Sequence, residues 1–158
     1  MKTIYLCGPI AGLTYPQAAF GWRQKVRDNP RMKQLVEDRE VRFLDPLRGK
    51  SVLGHFTGPL TGDTPLLPDQ PLLSDNAIVR RDRNDVRSSD LVLAYFRDGV
   101  KTSVGSMVEF GWADAHGVPI VAVLDRYHNH LFTRELATAV CGNLDEAVAA
   151  AISVLGLE

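Results

Sequence analysis

Glu109 is the residue whose type and position most clearly suggest chemistry in this sequence. It lies in the segment SVGSMVEFGWA (103–113), between the apolar runs DLVLAYF (90–96) and VPIVAVL (118–124). Two apolar runs joined by a glycine-containing helical segment predict a right-handed βαβ unit. Glu109 is then expected in the first turn of the helix, at the sheet edge where α/β proteins bind ligands. A helix N-terminus stabilises a carboxylate anion, which is the form that attacks a carbon centre.

The same glutamate also fits a purely structural role. Ser106-Met107-Val108-Glu109 has the S-x-x-E spacing of a capping box, in which the glutamate only reaches back to the backbone of the N-cap residue. The local sequence favours this role, whereas Gly105 favours a site, because it lets a ligand approach the backbone closely. On local sequence alone, both interpretations stay open.

Other candidate residues are expected at the same edge of the sheet, because they follow the ends of predicted strands. They are Gly8, Pro9, Ile10, Asp45, Asp98, Ser103, Gly105 and Ser106. Tyr5, inside the first strand, can point its hydroxyl at this edge from below, or can be a core tyrosine with one satisfied hydroxyl. Asp45 precedes Pro46 and also has a turn-forming interpretation. Asp90 begins its strand, so a structural role at the opposite edge is expected.

The chain alternates between short apolar runs and helical patterns over its whole length. The apolar runs predict five strands, at 3–8, 41–44, 90–96, 118–124 and 139–141. Capping signals and periodicity predict helices at 15–27, 31–38, 76–87, 107–116 and 144–155, with a less certain helix from about 131. This alternation predicts a three-layer α/β sandwich with five parallel strands in the flavodoxin-like (Rossmann-like) order 2-1-3-4-5.

Residues 47–74 interrupt this regular pattern. The segment is rich in glycine and proline, yet it also contains eight leucine and phenylalanine residues, too many for a free linker. A loop of this length inside one domain is functional or disordered. We interpret it as a folded excursion over the site or a contact with a partner subunit, within a single domain that spans residues 1–158.

Composition excludes several classes of function. The 158 residues are 45% hydrophobic and 23% charged, with a net charge of −1, so no global field attracts nucleic acid or an anionic membrane. No stretch approaches the ~20 apolar residues of a membrane span, and a cytoplasmic protein is expected. Cys7 and Cys141 are predicted to be buried thiols rather than a disulfide. His128 and His130 lack the carboxylate or cysteine partners of a metal site.

Three stretches together carry a resemblance to a known family. The segments KTIYLCGPIAG (2–12) and SVGSMVEFGWA (103–113), with Asp82 ahead of SDLVL (89–93), are similar to the nucleoside 2-deoxyribosyltransferase family. That family includes the related 2′-deoxynucleoside 5′-phosphate N-hydrolases. The resemblance is most specific around Glu109.

The resemblance implies a role for each matching residue. In these enzymes a glutamate at the position of Glu109 attacks C1′ of the deoxyribose, expels the base and holds the sugar as a covalent ester. Tyr5 matches the tyrosine that orients this glutamate. Asp82 matches the aspartate that hydrogen-bonds the base and helps to protonate it. The arginines around Asp82, within residues 80–87, also fit a salt-bridged helix face, so both roles stay open for this aspartate.

Ser103 departs from the pattern of the transferases, which usually place an aspartate there to bind the sugar 5′-hydroxyl. The nucleotide hydrolases tend to have a serine, which suits a 5′-phosphate because a carboxylate would repel it. Asp98 is a candidate to replace the missing carboxylate, and the loop of residues 8–12 could offer backbone N–H groups to a phosphate. The family often lends a residue from the region after the fourth strand to a neighbouring subunit, which makes His130 a candidate.

These observations predict an enzyme that cleaves the N-glycosidic bond of 2′-deoxynucleosides and transfers the sugar to another base. The alternatives are hydrolysis of a 2′-deoxynucleoside 5′-monophosphate and a nucleotide-binding module without turnover. No metal or organic cofactor is expected, because the covalent ester divides one difficult displacement into two. The resemblance implies small-molecule substrates, namely a deoxynucleoside or deoxynucleotide and a free nucleobase, and a homo-oligomer.

Overall fold

A five-stranded parallel sheet organises the computed structural model, which describes residues 1–61, 74–96 and 103–158. The strands are β1 (Lys2–Cys7), β2 (Val41–Leu44), β3 (Leu91–Phe96), β4 (Ile120–Leu124) and β5 (Ala139–Cys141). They lie in the order β2-β1-β3-β4-β5, and every neighbouring pair is parallel. The predicted fold and strand order are confirmed.

Helices cover both faces of the sheet. They are α1 (Tyr15–Phe20), α2 (Trp22–Asp28), α3 (Pro30–Glu37), α4 (Asp75–Arg87), α5 (Val104–Ala115), α6 (Leu131–Leu136) and α7 (Leu144–Leu155). A short 3-10 helix, Ser51–His55, lies within the predicted excursion. None of the helices in the described ranges is long and apolar enough to cross a membrane.

Strand β1 lies between β2 and β3 and is buried on both faces. Its side chains point alternately to the two faces, which decides which of them approach the site. Ile4 and Leu6 belong to the core that packs against α2, α3 and α7. Tyr5 and Cys7 belong to the opposite core, with residues of α4 and α5. All four side chains are 0% exposed, as expected for a central strand of a parallel sheet. The period of two therefore directs Tyr5 towards the helix that carries Glu109.

The helix predicted over residues 15–27 is in fact two helices, which meet at Gly21. The backbone at Gly21 leaves the helical region, with φ −74° and ψ −118°. A Cβ atom at this position would lie 2.4 Å from the carbonyl oxygen of Gln17. Only glycine avoids this collision, so the change of direction between α1 and α2 depends on its missing side chain.

Helix α5 begins at Val104, three residues before the predicted start. Ser103 is its N-cap, because the Ser103 Oγ accepts the Ser106 N–H at 3.4 Å and the Ser103 carbonyl accepts the Met107 N–H at 3.1 Å. The predicted capping box on Ser106 is therefore wrong. Glu109 lies in the second turn, where its carboxylate has no capping role.

The first part of the predicted excursion folds against the loop after β1. Leu47, Leu53 and Leu60 are buried in a small apolar cluster with Ala18 of α1. Two backbone hydrogen bonds fix Leu60 there: it accepts from the N–H of Gly12 at 2.8 Å and donates to the carbonyl of Leu13 at 2.7 Å. Residues 62–73 lie outside the described residues.

Two predictions of structural roles can be compared with the fold. Asp90 lies at the amino edge of the sheet, just before β3, where its carboxylate accepts the backbone N–H of Thr3 at 2.8 Å. This is the expected position, at the edge opposite the site. Cys7 and Cys141 are free thiols, of which Cys7 is buried and Cys141 is half-buried.

Candidate active site

Tyr5 and Glu109 meet below the carboxyl edge of the sheet. The Tyr5 hydroxyl donates a hydrogen bond to Glu109 Oε1 at 2.8 Å, across 104 positions of sequence. Tyr5 is 0% exposed and Glu109 is 7% exposed. The fold therefore brings together Tyr5 and Glu109, which come from two distant motifs, because α5 packs on the face of the sheet to which Tyr5 points.

The environment of Glu109 favours a carboxyl that titrates near neutral pH. Burial raises the pKa of Glu109 to about 7, although the hydrogen bond from Tyr5 lowers it. Burial, with the Glu109 charge, raises the pKa of Tyr5 well above its ordinary value, so the hydroxyl keeps its proton and donates. Glu109 Oε2 is buried and accepts no hydrogen bond from the described part of the chain. Tyr5 holds Oε1, and the Cys7 thiol beside the carboxyl also lowers the Glu109 pKa.

Asp82 reaches the site from α4 and is 7% exposed. Its Oδ1 accepts from the guanidinium of Arg81, at 3.0 Å from Nε and 2.7 Å from Nη2. Burial raises the pKa of Asp82, while Arg81 opposes the rise. Arg81 also donates to the carbonyl oxygens of Arg48 at 2.7 Å and Pro46 at 2.9 Å. One guanidinium thus joins the aspartate to the loop after β2.

The loop after β1 approaches its neighbours so closely that position 8 requires glycine. A Cβ atom on Gly8 would lie 2.8 Å from the Trp22 ring and 2.9 Å from the Tyr95 carbonyl oxygen. Arg23, which is 0% exposed, donates to the carbonyl oxygens of Gly8 and Ala18, both at 2.9 Å. Its guanidinium also lies over the Trp22 ring, 4.7 Å from the centroid. The buried Arg23 therefore fixes the position of the loop after β1.

These side chains surround a cavity of about 280 Å³ at the carboxyl edge of the sheet. The predicted residues that line it are Gly8, Ile10, Asp82, Ser103, Gly105, Ser106 and Glu109. The lining residues that were not predicted are Ala11, Pro46, Lys50, Leu60 and Thr61. The position agrees with the rule that open α/β sheets bind ligands beyond the carboxyl ends of their strands.

The remaining predicted residues lie elsewhere. Pro9 is buried but does not line the cavity. Asp45 forms an ion pair with Arg27 and accepts the Leu47 N–H at 2.8 Å, which is a turn role. His130 is the N-cap of α6 and lines a separate cavity of about 460 Å³. Asp98 lies outside the described residues.

Sequence reasoning missed the basic residues of the site. Lys50 lay inside the excursion that was expected to be functional, but nothing in the sequence singled it out. Arg23 had a weak signal, since it follows Trp22 on a helix whose apolar residues face inward. Arg81 was one of several arginines on α4, and the sequence did not show which of them turns towards the aspartate. In the described ranges, no group of three or more His, Cys, Asp or Glu residues could hold a metal ion.

Comparison with known proteins agrees with this geometry. The sequence model of the nucleoside 2-deoxyribosyltransferase family matches residues 4–150. The chain belongs to this family. Family members act on N-glycosyl bonds, so the chain is an N-glycosyl transferase or an N-glycosidase. No curated protein sequence matched the chain in a direct search.

Solved structures show the same family fold at low sequence identity. A conserved protein of Enterococcus faecalis V583 has a TM-score of 0.62 at 19% identity, over 94% of this chain and 96% of that one. A 2-deoxyribosyltransferase of Bacillus psychrosaccharolyticus has a TM-score of 0.62 at 14% identity, over 97% and 95%. A CMP N-glycosidase of Clostridium botulinum has a TM-score of 0.51 at 18% identity, over 95% and 98%. At these identities, the likeness concerns the fold.

We predict that Glu109→Gln stabilises the protein above neutral pH. The Glu109 pKa of about 7 exceeds the ordinary value of 4.5, so the folded state binds more protons than the unfolded chain between these values. The free energy of unfolding then falls as pH rises through this window, by about 3 kcal/mol in total. Glutamine has no such cost. Chemical denaturation at about pH 4 and about pH 8 should show the gap between variant and wild type widening by that amount.

The exposed Glu37 of α3 provides the matched control for this experiment. Glu37→Gln should leave the pH dependence of stability unchanged, because water solvates that carboxylate in both states. A gap between Glu109→Gln and wild type that is equal at the two pH values would show that the folded-state pKa of Glu109 is not raised.

Proposed function

We propose that the chain cleaves the N-glycosidic bond of a 2′-deoxynucleoside through a covalent ester on Glu109 and transfers the sugar to another base. The observation that carries this proposal is the buried pair of Tyr5 and Glu109, in which a 2.8 Å hydrogen bond holds Oε1 while Oε2 has no partner in the described chain. Glu109 also lines the cavity. Membership of the family supports the same chemistry.

In the first half-reaction, Glu109 Oε2 attacks C1′ of the sugar. The bond from C1′ to the base nitrogen breaks, and its electron pair leaves with the base. Asp82 delivers a proton to the base, a task that its raised pKa favours. Tyr5 holds Oε1 throughout, so the nucleophile keeps its orientation without losing its free oxygen.

In the second half-reaction, a nitrogen of another base attacks C1′ from the side that the first base left. The ester bond breaks, and its electron pair returns to Glu109 as a carboxylate. Asp82, now ionised, accepts a proton from the incoming base. Transfer is favoured over hydrolysis when the cavity excludes water, and the apolar residues Ile10 and Leu60 in the cavity wall support this preference.

A second candidate reaction is hydrolysis of a 2′-deoxynucleoside 5′-monophosphate. Ser103, Gly105 and Ser106 form the cavity wall at the N-terminus of α5, and none of them carries a carboxylate. A helix N-terminus favours an anion, so this wall suits a phosphate at the 5′ end of the sugar. A CMP N-glycosidase is among the proteins of similar fold. In this reaction, water replaces the second base.

One incubation distinguishes the candidate reactions. The protein is mixed with deoxyinosine, deoxyadenosine monophosphate and a second free base, and the products are separated by chromatography. A new nucleoside indicates a transferase, whereas free base with sugar phosphate indicates a nucleotide hydrolase. Glu109→Ala should lower base release by about 1,000-fold or more, because the nucleophile is lost. Mass spectrometry of trapped protein should locate the sugar on Glu109.

The control for this incubation is Glu37→Ala, which removes an exposed glutamate of α3. It should leave turnover unchanged. Undiminished turnover by Glu109→Ala would refute the assignment of the nucleophile. Binding of a deoxynucleotide without any release of base would instead support a binding module.

We predict that Tyr5→Phe moves the acid limb of the kcat/KM profile to higher pH. The Tyr5 hydrogen bond lowers the pKa of Glu109, and its loss favours the protonated carboxyl, which cannot attack. A hydrogen bond to a charged group corresponds to a shift of roughly one to two pKa units. Tyr15→Phe, a change of the half-buried tyrosine of α1, is the matched control. An acid limb that stays in place after Tyr5→Phe contradicts the orienting role.

We also propose that the protein is a homo-oligomer that associates through the surface around α6. Tyr127, Leu131 and Phe132 are 69%, 55% and 67% exposed there, beside the cavity that His130 lines. Exposed apolar groups of this kind mark interaction surfaces. Sedimentation should therefore give a dimer or larger species for wild type and a smaller one for Phe132→Asp. Phe20→Asp, on another surface and 63% exposed, is the control. A monomeric wild type contradicts the proposal.

A further inference from the structure

Lys50 is a buried cation on the wall of the candidate active site. It lies in the loop after β2, where its backbone N–H donates to the Leu47 carbonyl at 2.9 Å. The residue is only 8% exposed, and it lines the same cavity as Asp82 and Glu109. A lysine is seldom buried to this extent unless a group nearby uses its charge.

The side chain of Lys50 has no partner of its own in residues 1–61, 74–96 and 103–158. It forms no hydrogen bond and no ion pair there, in contrast to the neighbouring Arg81, which pairs with Asp82. Burial lowers the pKa of Lys50, and Asp82 is the strongest of the charges that oppose this change. An ammonium group on a cavity wall that has no acceptor among the described residues is suited to bind an acceptor from a ligand.

The position of Lys50 in the fold favours a contact with the base of the substrate over a contact with its 5′ end. Lys50 follows β2, whereas Ser103, the proposed contact of the 5′ end, follows β3, and these strands lie on opposite sides of β1. The two residues therefore approach the cavity from opposite sides. Lys50 shares the cavity wall with Asp82, the proposed acid on the base side. We propose that Lys50 donates a hydrogen bond to a carbonyl oxygen of the base, a role that rests on the proposed function. The enzyme should therefore prefer bases that carry a carbonyl group.

The chemistry of the leaving group explains the preference. When the C1′–N bond breaks, its electron pair enters the base, and a carbonyl oxygen takes part of the negative charge. The ammonium group of Lys50 then donates to an oxygen more negative than in the ground state, so the contact strengthens in the transition state. Lys50 keeps its proton, and Asp82 protonates the ring nitrogen. An amino group at the same position is a donor and gives Lys50 no acceptor.

Deoxyinosine and deoxyadenosine provide the test, because C6 carries a carbonyl oxygen in the first and an amino group in the second, and the only accompanying change in the base is the hydrogen on N1 of deoxyinosine. Lys50→Met, which keeps the length of the side chain and removes the charge, should lower kcat/KM for deoxyinosine by about 10- to 100-fold. The loss for deoxyadenosine should be much smaller. The ratio of the two values is independent of the fraction of folded enzyme. Lys33→Met, at an exposed position of α3, should leave both values unchanged.

Three outcomes overturn the inference. An equal loss for both bases removes the selective role, and a loss confined to the 5′-monophosphates of both nucleosides assigns Lys50 to the phosphate. Calorimetric binding of free hypoxanthine and adenine to wild type and Lys50→Met gives the same comparison without turnover, and an unchanged affinity ratio also overturns it. If Glu109→Ala still releases base, the proposed mechanism is wrong. The ratio of the hypoxanthine and adenine affinities still tests the role of Lys50 in that case.

Discussion

The hydrogen bond between Tyr5 and Glu109 is the interaction on which the candidate site depends. It joins the central strand to the helix that packs over it. Burial alone would hold the carboxyl in its neutral form, and the tyrosine offsets part of that effect. The result is a carboxylate that is accessible near neutral pH and has a fixed direction. A water-exposed glutamate would ionise more readily, but nothing would hold it in a single orientation.

The sheet could be predicted because it depends on strong local signals, whereas the roles of Tyr5 and Glu109 were indicated only by the resemblance to a family. Runs of apolar residues identified all five strands, and the rules for parallel connections gave their order. For Tyr5, the sequence left open whether its hydroxyl serves the site or only the core. The start of α5 could not be predicted from pattern, since Ser103 and Ser106 are both good N-caps and Gly105 weakens the first turn. The contacts of Ser103 in the folded protein decide between them.

The rest of the site could not be predicted because it depends on long-range contacts. Arg23 is buried with hydrogen bonds from its guanidinium to the carbonyl oxygens of Gly8 and Ala18, and no periodicity in the sequence shows that an arginine occupies this position. Lys50 and Asp82 line the same cavity because Arg81 of α4 binds the loop after β2. Asp45 illustrates the converse: it follows a strand, as a site residue should, but an ion pair with Arg27 holds it in a turn. Position at a strand end therefore does not by itself identify a site residue.

The position of Arg81 links proton transfer to the shape of the cavity. Its guanidinium binds the Asp82 carboxylate and, at the same time, the carbonyl oxygens of Pro46 and Arg48, close to Lys50 in the chain. When Asp82 is protonated, its electrostatic attraction for Arg81 weakens. The hydrogen bonds from Arg81 to the carbonyl oxygens of this loop then change as well. By thermodynamic reciprocity, a ligand that fixes the loop also changes the proton affinity of Asp82. Ligand binding to this loop and protonation of Asp82 are thus coupled, so each changes the equilibrium constant of the other.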